Sequence, residues 1–278
     1  MDDFRLSFEF FPTKTEEGTK KLFNTRDTLA KLNPDFFSVT YGAGGSTRNN
    51  TIDIVTNINN QGISGAPHLS CVGESRDSIK ELLNHYAQND INRIVALRGD
   101  LPSGMAASTG ELTYANELVE LIKQEHGEKF HLEVAAYPEM HPQASNFEAD
   151  LLNFKRKVDA GADSAITQYF FNIDSYLHFV DRCLDMGIET PIYPGIMPIT
   201  NYTKLARFSD ACGTEIPRWI RKQLEAYGDD TQSIEKFGEE VITMMCEDLV
   251  ENGVPGLHFY TLNQSAPSLK IWNNLNLW

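Results

Sequence analysis

Eight short apolar runs, each the length of a strand, recur along this chain with helical patterning between them, and nearly every run ends in a polar or ionisable residue. The ends read Glu9, Thr40-Tyr41, His68, Arg98-Gly99-Asp100, Tyr137-Pro138-Glu139, Gln168, Pro194-Gly195 and Thr261-Leu262-Asn263. Strict strand–helix alternation predicts an α/β fold with a parallel sheet, and eight such units predict a (β/α)8 TIM barrel. That fold gathers the carboxyl ends of its strands on one face, so residues scattered over the whole sequence would line one pocket. A barrel takes roughly 250 residues; the 278 residues here hold one such domain with extra helices near the C-terminus and no second domain of ordinary size.

The spacing predicts strands over 6–11, 36–41, 66–71, 93–98, 132–137, 165–170, 191–196 and 257–262. Helices are expected over 15–32, 47–59, from Ser75 onward, 114–123 and 146–160, with another ending at Gly187. A split pair follows over 203–212 and 217–227, then 234–252 and a last helix after Pro267. Gly161 stands at a natural helix C′ position, and Glu74 and Asp77 suit the positive end of the third helix. The Gly/Ser/Ala-rich stretch 101–110 is the longest connection and a candidate ligand-adjacent loop.

Composition removes several classes of function. No apolar stretch approaches the ~20 residues that span a bilayer. The acidic start Met1-Asp2-Asp3-Phe4-Arg5 lacks the charged and apolar regions of a signal peptide, so a cytoplasmic location is expected. Cys71, Cys183, Cys212 and Cys246 form no C-x-x-C pair, which argues against a disulfide framework or a zinc site. A net charge of −15 argues against nucleic acid and requires any phosphate-bearing ligand to find a local cationic pocket.

Chemistry shows first in Ser7-Phe8-Glu9-Phe10-Phe11-Pro12. Alternation puts Ser7, Glu9 and Phe11 on one face and Phe8 and Phe10 on the other, so an aromatic, desolvated setting should raise the Glu9 pKa and suit it to general-acid work. A buried Glu paired with Arg or Lys is the competing reading. In Arg98-Gly99-Asp100 the glycine admits a close ligand and the flanking charges suit a polar ring system; a salt bridge closing the barrel mouth fits equally. The turn Tyr41-Gly42-Ala43-Gly44-Gly45-Ser46-Thr47 lacks both the full G-x-G-x-x-G spacing and a Walker lysine, and reads as a tight strand-to-helix turn with exposed amides. Lys155-Arg156-Lys157 is a cationic cluster in an acidic protein, either a solvated helix face or a pyrophosphate site. His68 and His141 sit near strand ends without a metal-ligand spacing such as H-E-x-x-H, and no G-x-S-x-G elbow is present.

Taken in order, Ser-Phe-Glu-Phe-Phe-Pro, Ser-Val-Thr-Tyr-Gly-Ala-Gly-Gly-Ser-Thr, Ala-Pro-His-Leu, Ala-Leu-Arg-Gly-Asp, Ala-Ala-Tyr-Pro-Glu, Ile-Thr-Gln-Tyr-Phe-Phe, Pro-Gly-Ile-Met-Pro and His-Phe-Tyr-Thr-Leu-Asn resemble one family closely. The chain is similar to bacterial 5,10-methylenetetrahydrofolate reductases from about Phe8 to Asn263, and a single catalytic domain without the long regulatory extension of the eukaryotic enzymes is expected. The resemblance implies an FAD-containing barrel that takes hydride from NADH or NADPH and passes it to methylenetetrahydrofolate, in a ping-pong scheme that supplies methyl groups for methionine synthesis. NADH is the expected donor, and a homo-oligomer the expected assembly.

The resemblance also implies site roles. Glu9 matches the family's general acid and Asp100 the carboxylate near flavin and pterin. Thr40, Tyr41, Ala43, His68, Arg98, Gly99, Leu101, Tyr137, His141, Ala144, Asp150, Asn153, Arg156 and Lys157 match FAD-contacting positions, the last two countering the pyrophosphate. Gln168 matches a residue that hydrogen-bonds the pterin, and Phe208 one that stacks on nicotinamide or on the folate's aromatic ring. Gln264 stands where the family commonly has arginine, so it makes only neutral hydrogen bonds to a folate carboxylate, and Lys204 is the candidate to supply the missing charge. Two rivals are a cofactor-free pterin-binding barrel that transfers methyl groups and a barrel retained as a scaffold; bound flavin separates the reductase from both.

Overall fold

The computed structural model describes residues 4–41, 48–100, 110–275 and 277. The strands run β1 (Arg5–Phe10), β2 (Phe36–Val39), β3 (Ser64–Ser70), β4 (Arg93–Leu97), β5 (His131–Ala136), β6 (Ser164–Thr167), β7 (Ile192–Tyr193), β8 (Gly195–Ile196) and β9 (Gly256–Tyr260). All pairings between them are parallel, in the order β7-β6-β5-β4-β3-β2-β1-β9-β8.

β7 and β8 are successive halves of one strand position. Pro194 between them has no N–H to give to a ladder. β7 pairs with β6 and β8 with β9, so this short segment closes the barrel. The expected seventh strand therefore exists, broken at its proline. Gly195 is required there, because a Cβ would strike the Thr167 carbonyl and the Tyr260 ring.

Helices α1 (Glu16–Leu29), α2 (Arg48–Asn59), α3 (Arg76–Gln88), α4 (Ala115–His126), α5 (Phe147–Asp159) and α6 (Ile173–Asp185) alternate with the strands. After β8 come α7 (Tyr202–Cys212), α8 (Arg218–Tyr227) and α9 (Thr231–Glu251), and α10 (Ser265–Asn274) follows β9. Their starts have local causes: the side chains of Thr15, Ser75, Asn146, Asn172 and Asn201 each accept a hydrogen bond from a free first-turn N–H. α10 begins at Ser265, ahead of Pro267, because proline is tolerated in a first turn. Most strands end one to three residues before the expected position, since Phe11, Thr40, Tyr41, Arg98, Tyr137, Gln168, Leu262 and their neighbours leave the ladder to form the mouth.

The sheet separates two environments. Outward-facing Phe8, Phe10, Phe37 and Phe259 are fully buried under the helices and stack on one another at centroid distances of 5.2–5.8 Å. The inner face carries a small apolar layer of Phe36, Ala66, Val95 and Ile166. Below it lies a polar floor: Glu133 of β5, completely buried, is held by the Arg93 guanidinium, by Ser164 Oγ donating at 2.5 Å, and by His131 Nε2 at 3.3 Å. Arg93 also stacks over the Phe36 ring at 4.6 Å. Burial pushes the Glu133 carboxyl up, but His131, Arg93 and Ser164 together hold it below the usual carboxylate value. No described helix is long and apolar enough to cross a membrane.

Candidate active site

Above the apolar layer, β1, β3 and β9 aim three ionisable side chains into the barrel. Glu9 stands opposite Tyr260 and Ser38 in the strand register, and Ser7 opposite His258. His68 Nε2 lies 3.2 Å from Glu9 Oε2, and His258 Nε2 lies 3.9 Å from the same oxygen. Ser7 Oγ is 2.7 Å from His258 Nδ1. With Ser7 donating there, the His258 proton sits on Nε2 and faces Glu9. His68 and His258 are buried, and neither Nε2 has a well-aligned hydrogen bond, nor does the buried Ser38 Oγ beside them. The Glu9 backbone is fastened separately, its carbonyl accepting from Thr261 Oγ1 at 2.6 Å.

This geometry corrects the expectation that Glu9 has a raised pKa. Its own strand's phenylalanines point to the other face, so the neighbours of the carboxyl are imidazoles. Burial pushes the group up, but the two facing imidazoles of His68 and His258 outweigh that and bring it down to about 2. The partner of this half-buried Glu is a pair of histidines, neither Arg nor Lys.

The other mouth residues arrive from five strand ends. Gly99 adopts φ +85°, and a Cβ would overlap Ser70 Oγ, which donates to the Arg98 carbonyl at 2.8 Å. Arg98 and Asp100 form no ion pair, and Asp100 is exposed, so the salt-bridge alternative is not what the chain adopts. Arg98 Nε instead donates to the Gly99 carbonyl at 3.2 Å. Gln168 is half-buried, its amide oxygen accepting from Tyr169 N at 3.0 Å. Tyr260 donates to the Thr167 carbonyl at 2.7 Å, and burial followed by the Glu9 charge drives its phenol well above its ordinary value. Thr40 receives its place from a bond of its N–H to the Phe10 carbonyl, 2.9 Å, while the Tyr41 hydroxyl is 3.3 Å from Glu74 Oε1. Ala43 and Leu101, and the glycine-rich turn and loop around them, lie outside the described residues.

The loop after β5 and the first turns of α5 form one flank. Asp150 Oδ2 accepts from His141 N at 2.7 Å, and the His141 ring meets Tyr137 edge-on at 4.6 Å. Burial lowers the His141 pKa, so the ring is neutral at pH 7; its Nδ1 accepts from Gln143 N at 3.0 Å. Ala144 closes the same turn, its N–H donating to the His141 carbonyl. The cationic cluster divides. Arg156 is exposed and donates to Asn153 Oδ1, and Lys155 pairs with Asp159 at 2.8 Å. Lys157 turns inward and donates to the Ala135 carbonyl of β5. Burial depresses its amine to about 8, with Asp150 pulling it back upward, and it pairs with no carboxylate among the described residues. A half-buried ammonium with no ion-pair partner among the described residues is suited to hold a phosphate group.

Residues implied for substrate contact lie further out. Lys204 and Phe208 share a face of α7, one turn apart; Lys204 is exposed, and Arg207 covers the half-exposed Phe208 ring at 5.5 Å. Gln264, exposed at the start of α10, lines a small cleft with Thr200, Glu235, Glu239 and Lys270. Lys270 is drawn to Glu239, 3.5 Å away. Among the described residues no group of three or more His, Cys, Asp or Glu side chains is placed to hold a metal ion.

Sequence reasoning missed His258 and the use of Ser7. The signal was available in Leu257-His258-Phe259-Tyr260, where alternation puts His258 and Tyr260 on one face. What it does not give is the register that sets this face against Ser7 and Glu9.

Residues 1–276 match the family model described as methylenetetrahydrofolate reductase. The chain is 42% identical over 273 residues to the 5,10-methylenetetrahydrofolate reductase of Escherichia coli, covering 98% of this chain and 90% of that protein. It is 38% identical over 285 residues to an Arabidopsis thaliana methylenetetrahydrofolate reductase (NADH), covering 98% of this chain and 48% of that protein. Among solved structures, a Clostridium thermocellum protein described as binding two copies of 5-methyl-5,6,7,8-tetrahydrofolic acid shares the fold, with a TM-score of 0.66 and 16% identity over 99% of this chain and 96% of that one.

Proposed function

From the family match, the chain belongs to the methylenetetrahydrofolate reductases, and on that premise we propose that it reduces 5,10-methylenetetrahydrofolate to 5-methyltetrahydrofolate with FAD as its cofactor and NADH as hydride donor. The observation that carries the reading is Glu9, seated at the mouth with two buried imidazoles on one of its oxygens. Tyr137, His141, Arg98, Gly99, Asp150 and Lys157 would hold FAD, and the unpaired Lys157 fits its pyrophosphate. When bound, FAD supplies a two-electron carrier that both substrates reach in turn. NADH is preferred over NADPH in this reading, as in the name of the plant relative.

Opening the folate's five-membered ring breaks the bond between the methylene carbon and N10, leaves the electron pair on N10 and requires a proton there. Glu9 delivers that proton. In the free site it is a carboxylate, so it takes up a proton before it gives one to N10. Desolvation is what pulls the Glu9 pKa upward, and a pterin closing the mouth strengthens that pull toward the neutral acid. Ser7 keeps the His258 tautomer that faces Glu9. Gln168 binds the pterin edge, and Asp100 places negative charge where the iminium cation develops.

The reading is tested by the visible spectrum of the purified protein under anaerobic conditions, with NADH added and then methylenetetrahydrofolate. A flavin spectrum that bleaches and then recovers is expected; protein that takes up no FAD overturns it in favour of a cofactor-free pterin-binding barrel. Asp100→Asn is expected to slow folate reduction roughly tenfold or more while changing NADH oxidation by a smaller factor. Stopped-flow rates of the two half-reactions check this, and equal small changes would remove Asp100 from the electrostatic role.

A further inference from the structure

The connection from α7 to α8, 213–217, is fastened to the rest of the mouth at three points. Glu139 Oε2, on the loop after β5, accepts from Glu215 N at 2.9 Å. Thr214 Oγ1 donates to the Tyr169 carbonyl at 3.0 Å, and Tyr169 Oη is 3.2 Å from Ser209 Oγ inside α7. Gly213, at φ +74°, comes so close to Pro142 that a Cβ would lie 2.9 Å from its Cγ. The loop after β5 is irregular in the same place, with Met140 at φ +82°. That conformation is costly for a residue with a side chain and persists only where its surroundings hold it.

Two of these fastenings, Glu139 and Pro142, come from the loop that carries Tyr137 and His141. What they hold is the C-terminal end of α7, the helix that bears Lys204 and Phe208. We infer that Glu139 is a positioning residue that sets α7, and with it Phe208 and Lys204, in register with the loop after β5. The inference rests on the proposed reductase reading for what α7 contacts, while the tether itself is a property of the chain.

Glu139 needs no charge for this task. Burial pushes its carboxyl up against the opposing pull of the Glu215 N–H, with a smaller raising contribution from the Glu215 carboxylate, and either form presents an oxygen to that N–H. Glutamine presents the same oxygen at the same reach. The loop after β5 keeps its own support, because Asp150 holds His141 N independently of Glu139. Loss of Glu139 therefore moves α7 and leaves the cofactor flank in place.

The test compares Glu139→Ala and Glu139→Gln in the FAD-loaded enzyme. In Glu139→Ala, exchange of the Glu215 amide hydrogen accelerates roughly tenfold, the scale of one lost hydrogen bond. The KM for methylenetetrahydrofolate rises about 5- to 10-fold with a smaller change in kcat, on the same scale, and the FAD dissociation constant changes less than about twofold. Glu139→Gln restores all three. Unchanged exchange in Glu139→Ala overturns the tether. Faster exchange with an unchanged KM, or with weakened FAD binding instead, overturns the coupling to α7. If the wild type takes up no FAD, the reductase reading is what fails, and amide exchange in the two variants still decides the tether.

Discussion

Glu9→Gln is expected to leave NADH-dependent bleaching of the bound flavin near the wild-type rate while reducing turnover of methylenetetrahydrofolate by about 10²- to 10⁴-fold, the usual range for loss of a general acid. Glutamine has the shape of glutamate and keeps an amide beside His68, but has no acidic proton to give to N10. Anaerobic stopped-flow measurement of each half-reaction separates the two effects. Loss of both half-reactions would mean that Glu9 holds the mouth together and is not the proton donor.

A second readout comes from acid. The folded pKa of Glu9 lies near 2, below the ordinary 4.5, so ionised Glu9 contributes stability that is fully present above about 4.5. That contribution is lost as pH falls through the interval towards 2. Glu9→Gln lacks it, so the stability difference between wild type and variant should shrink across that window.

Glu133→Ala is expected to cost about 3–5 kcal/mol, because it removes one partner of a buried pair and leaves the Arg93 guanidinium and the Ser164 hydroxyl without their acceptor, while His131 Nε2 keeps Ser164 Oγ at 2.7 Å. Domains of ordinary stability have only about 5–15 kcal/mol in total, so the variant should sit close to the unfolding threshold at 37 °C. Urea denaturation at pH 7 measures it. The double variant Arg93→Ala/Glu133→Ala should recover part of the loss, since it no longer strands a buried cation. A shift below about 1 kcal/mol for the single variant would show that the floor of the barrel is not held by this network. The sign with pH is the same as for Glu9: the Glu133 pKa is lowered in the folded state, so its contribution is present above the unfolded value and fades in acid.

Much of this was legible in the chain. Strand–helix alternation specified the barrel, and the polar strand ends specified its mouth, because both depend on local periodicity and on one geometric rule of the fold. Alternation in Ser7-Phe8-Glu9-Phe10 correctly divided an inner from an outer face. The same reading failed for the Glu9 pKa, since the phenylalanines nearest in sequence are screened from it by the sheet, while His68 and His258, 59 and 249 residues away, supply its surroundings. The cationic run on α5 shows the same limit. Only the packing of α5 against β5 distinguishes inward Lys157 from exposed Arg156. Nothing local marks Glu133 as more deeply buried than Glu139, or ties Glu139 to Glu215 across 76 residues.

The sequence by itself determined the class of fold, the strands that contribute to the mouth and the family, all of which rest on short-range patterns and on motifs that can be read in order. Tertiary structure alone decided which ionisable groups face each other and in what protonation state. A pKa is set by charges and dehydration within a few ångströms, and in a closed barrel those ångströms are crossed by strands far apart along the chain.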